Sequence, residues 1–156
     1  KELNSDPVVF SSMRVHTAKA SIAAMIFGGV FERFPKLRVG AVEFEVSWVP
    51  YFLNRMDDTY KNRVAGYSGI RFQDDNAVPS DFWLSNCFVG FQEDALGMEL
   101  RHYVGVDNLL WGSDYPHPDG IWPDSKETIS KDLEGLSETS RLKLTRDNAG
   151  YLYGFL

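Results

Sequence analysis

Three short apolar runs end on groups that could do chemistry. Residues 37–44 deliver Glu43 and lead to Glu45, residues 87–91 lead to Gln92, and residues 108–112 run into Ser113, Asp114, Tyr115 and His117. In parallel α/β proteins reactive groups gather at the carboxyl ends of strands, because only those loops converge on one crevice. Asp114 is the most informative of them. It follows its apolar run closely and precedes Pro116 and Pro118, which stiffen the loop and hold the carboxylate in one direction. A carboxylate so placed can ligate a divalent metal or act as a general base. A turn or helix N-cap aspartate would look the same in sequence.

Glu43 and Glu45 lie two apart, so in extended chain both would point to one face, as metal ligands or as members of a salt-bridge pair. The chain has 3 histidines, His16, His102 and His117, too few for a complete His-rich metal site. His102 reads as a solvated helix residue and His16 as structural, whereas His117, three residues after Asp114, is carried forward as a site residue. Arg55 falls on the polar side of an amphipathic helix, where a solvated face or a subunit contact is the ordinary reading. A Gly-rich phosphate loop, a nucleophile-elbow serine and Cys-His zinc spacing are absent from the sequence.

These groups need elements to hold them. Apolar residues at helical spacing (Ile22, Met25, Ile26, Val30) predict a helix over 16–34, stopped by Pro35. Val49, Phe52, Leu53, Met56, Tyr60 and Val64 share one face of a second helix, with Asp57 and Lys61 spaced to pair outside. A long connection covers 66–79. A helix over 94–104 should turn Leu96, Leu100, Tyr103 and Val104 inward, and two more span 125–136, with Asp124 and Glu127 spaced as a capping box, and 137–151. The alternation of short apolar strands with helices implies a parallel sheet, open or part of a barrel.

Composition narrows the class. With 156 residues, 44% hydrophobic and 24% charged, the chain is expected to fold as one globular domain. A net charge of -6 without a basic stripe argues against a nucleic-acid partner. The single cysteine, Cys87, lies in an apolar run and reads as a buried thiol, which fits a reducing cytoplasm. No run of about 18 apolar residues is present, so the expectation is a soluble, cytoplasmic protein without a membrane partner.

The ordered segments Gly29-Val30-Phe31-Glu32-Arg33-Phe34-Pro35-Lys36-Leu37, Glu43 through Trp48-Val49-Pro50, Trp111-Gly112-Ser113-Asp114-Tyr115-Pro116-His117-Pro118-Asp119-Gly120, and Arg146-Asp147-Asn148-Ala149 with Leu152-Tyr153-Gly154 resemble the amidohydrolase-related group of metal-dependent hydrolases and decarboxylases. The resemblance implies the C-terminal part, about strands six to eight with their helices, of a distorted (β/α)8 TIM barrel. It also implies a divalent metal, commonly zinc, and hydrolysis or nonoxidative decarboxylation of a small carboxylate-bearing substrate. Asp114 matches the family's metal-ligand or proton-transfer aspartate after the last strand, and Glu43 matches a glutamate that one branch carries in a Glu-Gly-Gly-Val-Gly-Trp-like stretch after the sixth strand. Phe44, Glu45 and Ser47 stand where that branch has small residues. Arg55 aligns with an arginine that in some decarboxylases reaches a neighbouring subunit's substrate.

The family's His-x-His pair on the first strand and its histidine on the fifth have no counterpart in these residues. The expected arrangement is therefore Asp114 and Glu43 at a metal, with Trp48, Arg55 and His117 contacting substrate, in a single partial barrel domain that forms a homo-oligomer. The rival expectation is a non-catalytic barrel portion that folds by self-association through its open sheet edge.

Overall fold

The computed structural model describes residues 6–63 and 69–156. Its centre is a three-stranded, all-parallel sheet built from β1 (Val39–Ala41), β2 (Cys87–Phe91) and β3 (Leu109–Trp111), side by side in chain order. The register sets Ala41 opposite Val89 and Val89 opposite Leu109. Strand alternation then sends Ala41, Cys87, Val89, Phe91 and Leu109 into one buried core. Gly40, Val42, Phe88, Gly90, Leu110 and Gly112 occupy the other face, which is only partly covered: Val42 is 52% exposed. The protein is thus α/β with a small parallel sheet.

Helices supply the rest of the core. The run expected over 16–34 divides into α2 (Val15–Phe27) and α3 (Val30–Arg33), because Gly29 between them adopts φ 66, a left-handed conformation that glycine takes without steric cost. A helix unread in the sequence, α1 (Pro7–Met13), precedes them, capped by Asp6 accepting from the Val8 N–H. In α4 (Val49–Asn62) the predicted residues Val49, Phe52, Leu53 and Met56 are buried, while Val64 lies outside the described residues. Asp57 does not serve Lys61. It accepts from the N–H and Oγ of Ser80 at 2.9 and 2.7 Å, tying α4 to α5 (Pro79–Asn86).

The sequence gives no periodic sign of α5, an eight-residue helix, yet it places Trp83 at the centre of the core, fully buried with its Nε1–H donating to the Val104 carbonyl at 3.0 Å. Part of the expected 66–79 connection, residues 66–68, lies outside the described residues. The helix expected over 94–104 breaks at Leu100 into α6 (Ala95–Glu99) and α7 (Arg101–Val104). This break rotates the inward face, so that Gly97, Met98 and Val104 are buried while Leu96 and Tyr103 face solvent. Asp124 makes no side-chain capping bond to α8 (Ser125–Asp132), so the expected capping box does not form. The final helix is α9 (Glu138–Leu142) and α10 (Asn148–Tyr153) joined by a π-helical turn over Lys143–Asp147.

Candidate metal centre

Parallel pairing in register brings the loops after β1 and β3 to the same end of the sheet, and this juxtaposes Glu43, Asp114 and His117. One ligand atom from each lies within 4.8 Å of the others. His117 Nδ1 is 2.9 Å from Asp114 Oδ2. With Nδ1–H donated to that carboxylate, Nε2 is left as the basic ring nitrogen. Two carboxylates and an imidazole form a donor set that suits a divalent cation such as zinc or manganese, so the residues fit the metal that the sequence resemblance implies.

The backbone does unusual work to aim these groups. Glu43 (φ 65), Glu45 (φ 56) and Asp114 (φ 56) are the non-glycine residues with positive φ among the described residues. Such residues cost about 1–3 kcal/mol each and persist only where the surroundings over-determine them. The left-handed turns also overturn one expectation from the sequence. Beyond Ala41 the chain is not extended, and the two glutamates serve different partners. Glu43 joins Asp114, whereas Glu45 accepts from the Gln92 N–H at 3.2 Å. Burial pushes the Glu45 carboxyl above its usual range, with the charges of Asp94 and Asp132 adding to it and the Gln92 N–H opposing it.

The Asp114 loop is held by its own backbone. His117 N donates to Asp114 O at 2.8 Å, Gly120 N to His117 O at 2.9 Å, and Ile121 N to Ser113 O at 3.1 Å. Gly120 permits this closure, since a Cβ there would lie 2.8 Å from Ser113 O, 3.0 Å from His117 O and 3.1 Å from Asp114 O.

A pocket of about 190 Å³ opens between these loops, bordered by Glu43 and Asp114 and floored by Phe88, Gly90, Leu110 and Gly112. In its wall, Gln92 Oε1 and Trp111 Nε1 are buried without a hydrogen-bond partner among the described residues. Each carries a desolvation cost of about 1–3 kcal/mol that a ligand or water atom would remove. Tyr153 of α10 also lines the pocket.

Of the other residues singled out in the sequence, Trp48 borders a neighbouring cavity together with Glu43, donates its Nε1–H to Glu45 O at 2.8 Å and packs edge-on to Trp83. Arg55 is not brought to the cluster. It stands on the exposed side of α4, 3.5 Å from Asp58. Sequence reasoning treated Asp94 only as the start of a helix. In the structure its carboxylate is buried and bonded to the loop that carries Glu43; the one local signal is Gly97 at helix-cap spacing.

The strand ends of a parallel sheet thus bring an Asp, a Glu and a His together beside a pocket that Glu43 and Asp114 line. Residues 12–155 match the family model described as Amidohydrolase, and the chain belongs to that family. It is 27% identical over 129 residues to 2-amino-3-carboxymuconate-6-semialdehyde decarboxylase of Dictyostelium discoideum, covering 83% of this chain and 34% of that protein. Among solved structures it resembles an amidohydrolase from Mycobacterium avium subsp. paratuberculosis K-10, with 32% identity and a TM-score of 0.75 over 94% of this chain and 36% of that one. It shares its fold with 5-carboxyvanillate decarboxylase from Novosphingobium aromaticivorans, which holds bound manganese and 3-methoxy-4-hydroxy-5-nitrobenzoic acid (18% identity, TM-score 0.72, 87% of this chain and 38% of that one). The chain therefore spans little more than a third of the length of these relatives. No helix among the described residues is long and apolar enough to cross a membrane.

Proposed function

We propose that this chain supplies strands six to eight of an amidohydrolase-type barrel and part of a divalent-metal site for nonoxidative decarboxylation or hydrolysis of a small carboxylate-bearing substrate. The observation that carries this reading is the convergence of Glu43, Asp114 and His117 within 4.8 Å at the carboxyl end of the sheet. Glu43 and Asp114 would hold the ion, zinc or the manganese found in the carboxyvanillate decarboxylase, with His117 beside them as a third donor or as a contact to substrate. An ion held there supplies Lewis-acid polarisation of a substrate oxygen.

The protein groups do the rest. Asp114, held by its loop and by the His117 Nδ1–H, would accept a proton from the substrate and return it, going from carboxylate to carboxylic acid and back while the imidazole stays neutral. The apolar floor of Phe88 and Leu110 excludes water from one side of the pocket. Trp48 lies against the neighbouring cavity as an aromatic wall. Arg55, half exposed on α4 beside Asp58, would meet a substrate carboxylate only across a contact with an adjacent subunit.

Calorimetric titration of the chain with manganese and with zinc tests the reading. One ion per chain is expected, with affinity reduced at least tenfold in Asp114→Asn and in Glu43→Gln. Absence of binding to the folded chain would sink it. That result would favour the second reading, a non-catalytic module that self-associates, to which the partly open sheet face with Val42 at 52% exposure already lends support.

A further inference from the structure

We propose that Asp94 is a positioning residue for this metal centre, acting through Glu43 by clamping the loop between β1 and α4; the inference rests on the metal reading above. Asp94 Oδ2 accepts from the N–H groups of both Val46 and Ser47 at 2.7 Å, and Oδ1 accepts from the Gly97 N–H at 2.8 Å. Its own N–H donates to Asp132 Oδ2 at 2.7 Å, so the clamp is anchored in turn on α8. A second bond runs the opposite way, from the Gln92 N–H to Glu45 Oε2 at 3.2 Å. The loops after β1 and β2 are thereby laced together.

Only Phe44 and Glu45 separate the clamped amides from Glu43. Glu43 and Glu45 are both held at positive φ, a conformation that relaxes once its restraints are lost, and relaxation would swing the Glu43 carboxylate away from Asp114. Packing leaves the clamp no slack. Asp94 and Val46 are buried, and a Cβ on Gly97 would lie 2.5 Å from Asp94 Oδ2 and 2.7 Å from Val46 Cβ. Asp94 does more than cap α6, because two of its three accepted bonds go to the loop that presents Glu43. Loss of groups that orient a metal's ligands typically costs about 10–100-fold in metal affinity.

The test is a double-substitution cycle read by manganese titration of the folded chain, with thermal unfolding followed in parallel. Asp94→Asn alone is expected to weaken manganese binding at least tenfold, yet to add no further loss in the Glu43→Gln background, since its effect passes through Glu43. Ser137→Ala, which removes the Oγ cap of α9 away from this loop, is expected to lose stability with unchanged manganese affinity. Should Asp94→Asn fail to fold, Gly97→Ala displaces the clamp with the carboxylate retained and carries the same cycle. Equal affinity in Asp94→Asn and the unsubstituted chain, or losses that add in the double variant, would overturn the role of Asp94 alone. Absence of manganese binding by the unsubstituted chain would overturn the metal reading together with it.

Discussion

Three carboxylate residues near the pocket, Glu43, Glu45 and Asp114, sit in a left-handed conformation that side chains with a Cβ adopt at a cost. The strain aims two of them at one point and turns the third toward the β2 loop, the kind of local expense that folded chains keep where geometry matters. Cys87 shows the opposite case. Its thiol is fully buried at the start of β2, and burial pushes it up from the ordinary 9.0 to about 12, with the Arg38 guanidinium opposing. The neutral thiol is therefore the form the fold favours. Folding is insensitive to it below pH 9, and stability is lost as pH rises from 9 toward 12, where only the unfolded chain can ionise. Iodoacetamide at pH 8 should leave the native thiol unmodified and alkylate it fully in urea, and Cys87→Ala should flatten the alkaline loss of stability. Rapid native alkylation would show the site to be open.

At the scale of elements, the start of β3 is held by a helix that follows it by nearly forty residues. The Asn148 side chain, buried at the start of α10, donates to the carbonyls of Val106 and Leu109, each at 2.8 Å. It pins the start of the strand that leads to Asp114. Asn148→Ala leaves two acceptors without this donor and should cost about 2 kcal/mol, from roughly 1 kcal/mol per hydrogen bond. The measurement is the urea midpoint at unchanged m-value; a midpoint within error of the unsubstituted chain would contradict the pinning. The Asn148 motif was visible in the sequence as part of a family resemblance, but its bonds were not, since they span 39 and 42 residues.

For the whole molecule the decisive feature is a three-stranded parallel sheet with one well-covered face and one that is partly open among the described residues. Parallel sheets are ordinarily buried on both faces, and a partly exposed one presents apolar surface to a partner. Self-association of the isolated chain is the expected outcome, and Val42→Glu, placing a charge on the 52% exposed position, should shift it toward the monomer in sedimentation velocity. A monomeric unsubstituted chain would remove the argument. The same face carries the pocket, so surface that covers it would also wall the site.

The strand cores, the amphipathic α4 and the candidacy of Asp114, Glu43 and His117 were legible in the sequence, because hydrophobic periodicity and the Asp-Tyr-Pro-His loop are local signals. The sequence also carried the family, through ordered motifs along most of the chain. It overextended β1 and kept Glu43 and Glu45 on one face, because no local rule announces a left-handed glutamate. It passed over α5, whose Trp83 is recognisable as core only once α7 packs beside it. Which carboxylates meet was not legible, since it depends on register between strands some 70 residues apart and on long-range contacts such as the Asp94 bonds to Val46 and Ser47, which cross 48 and 47 residues. Contacts of that range have no footprint in local sequence and are fixed by packing alone.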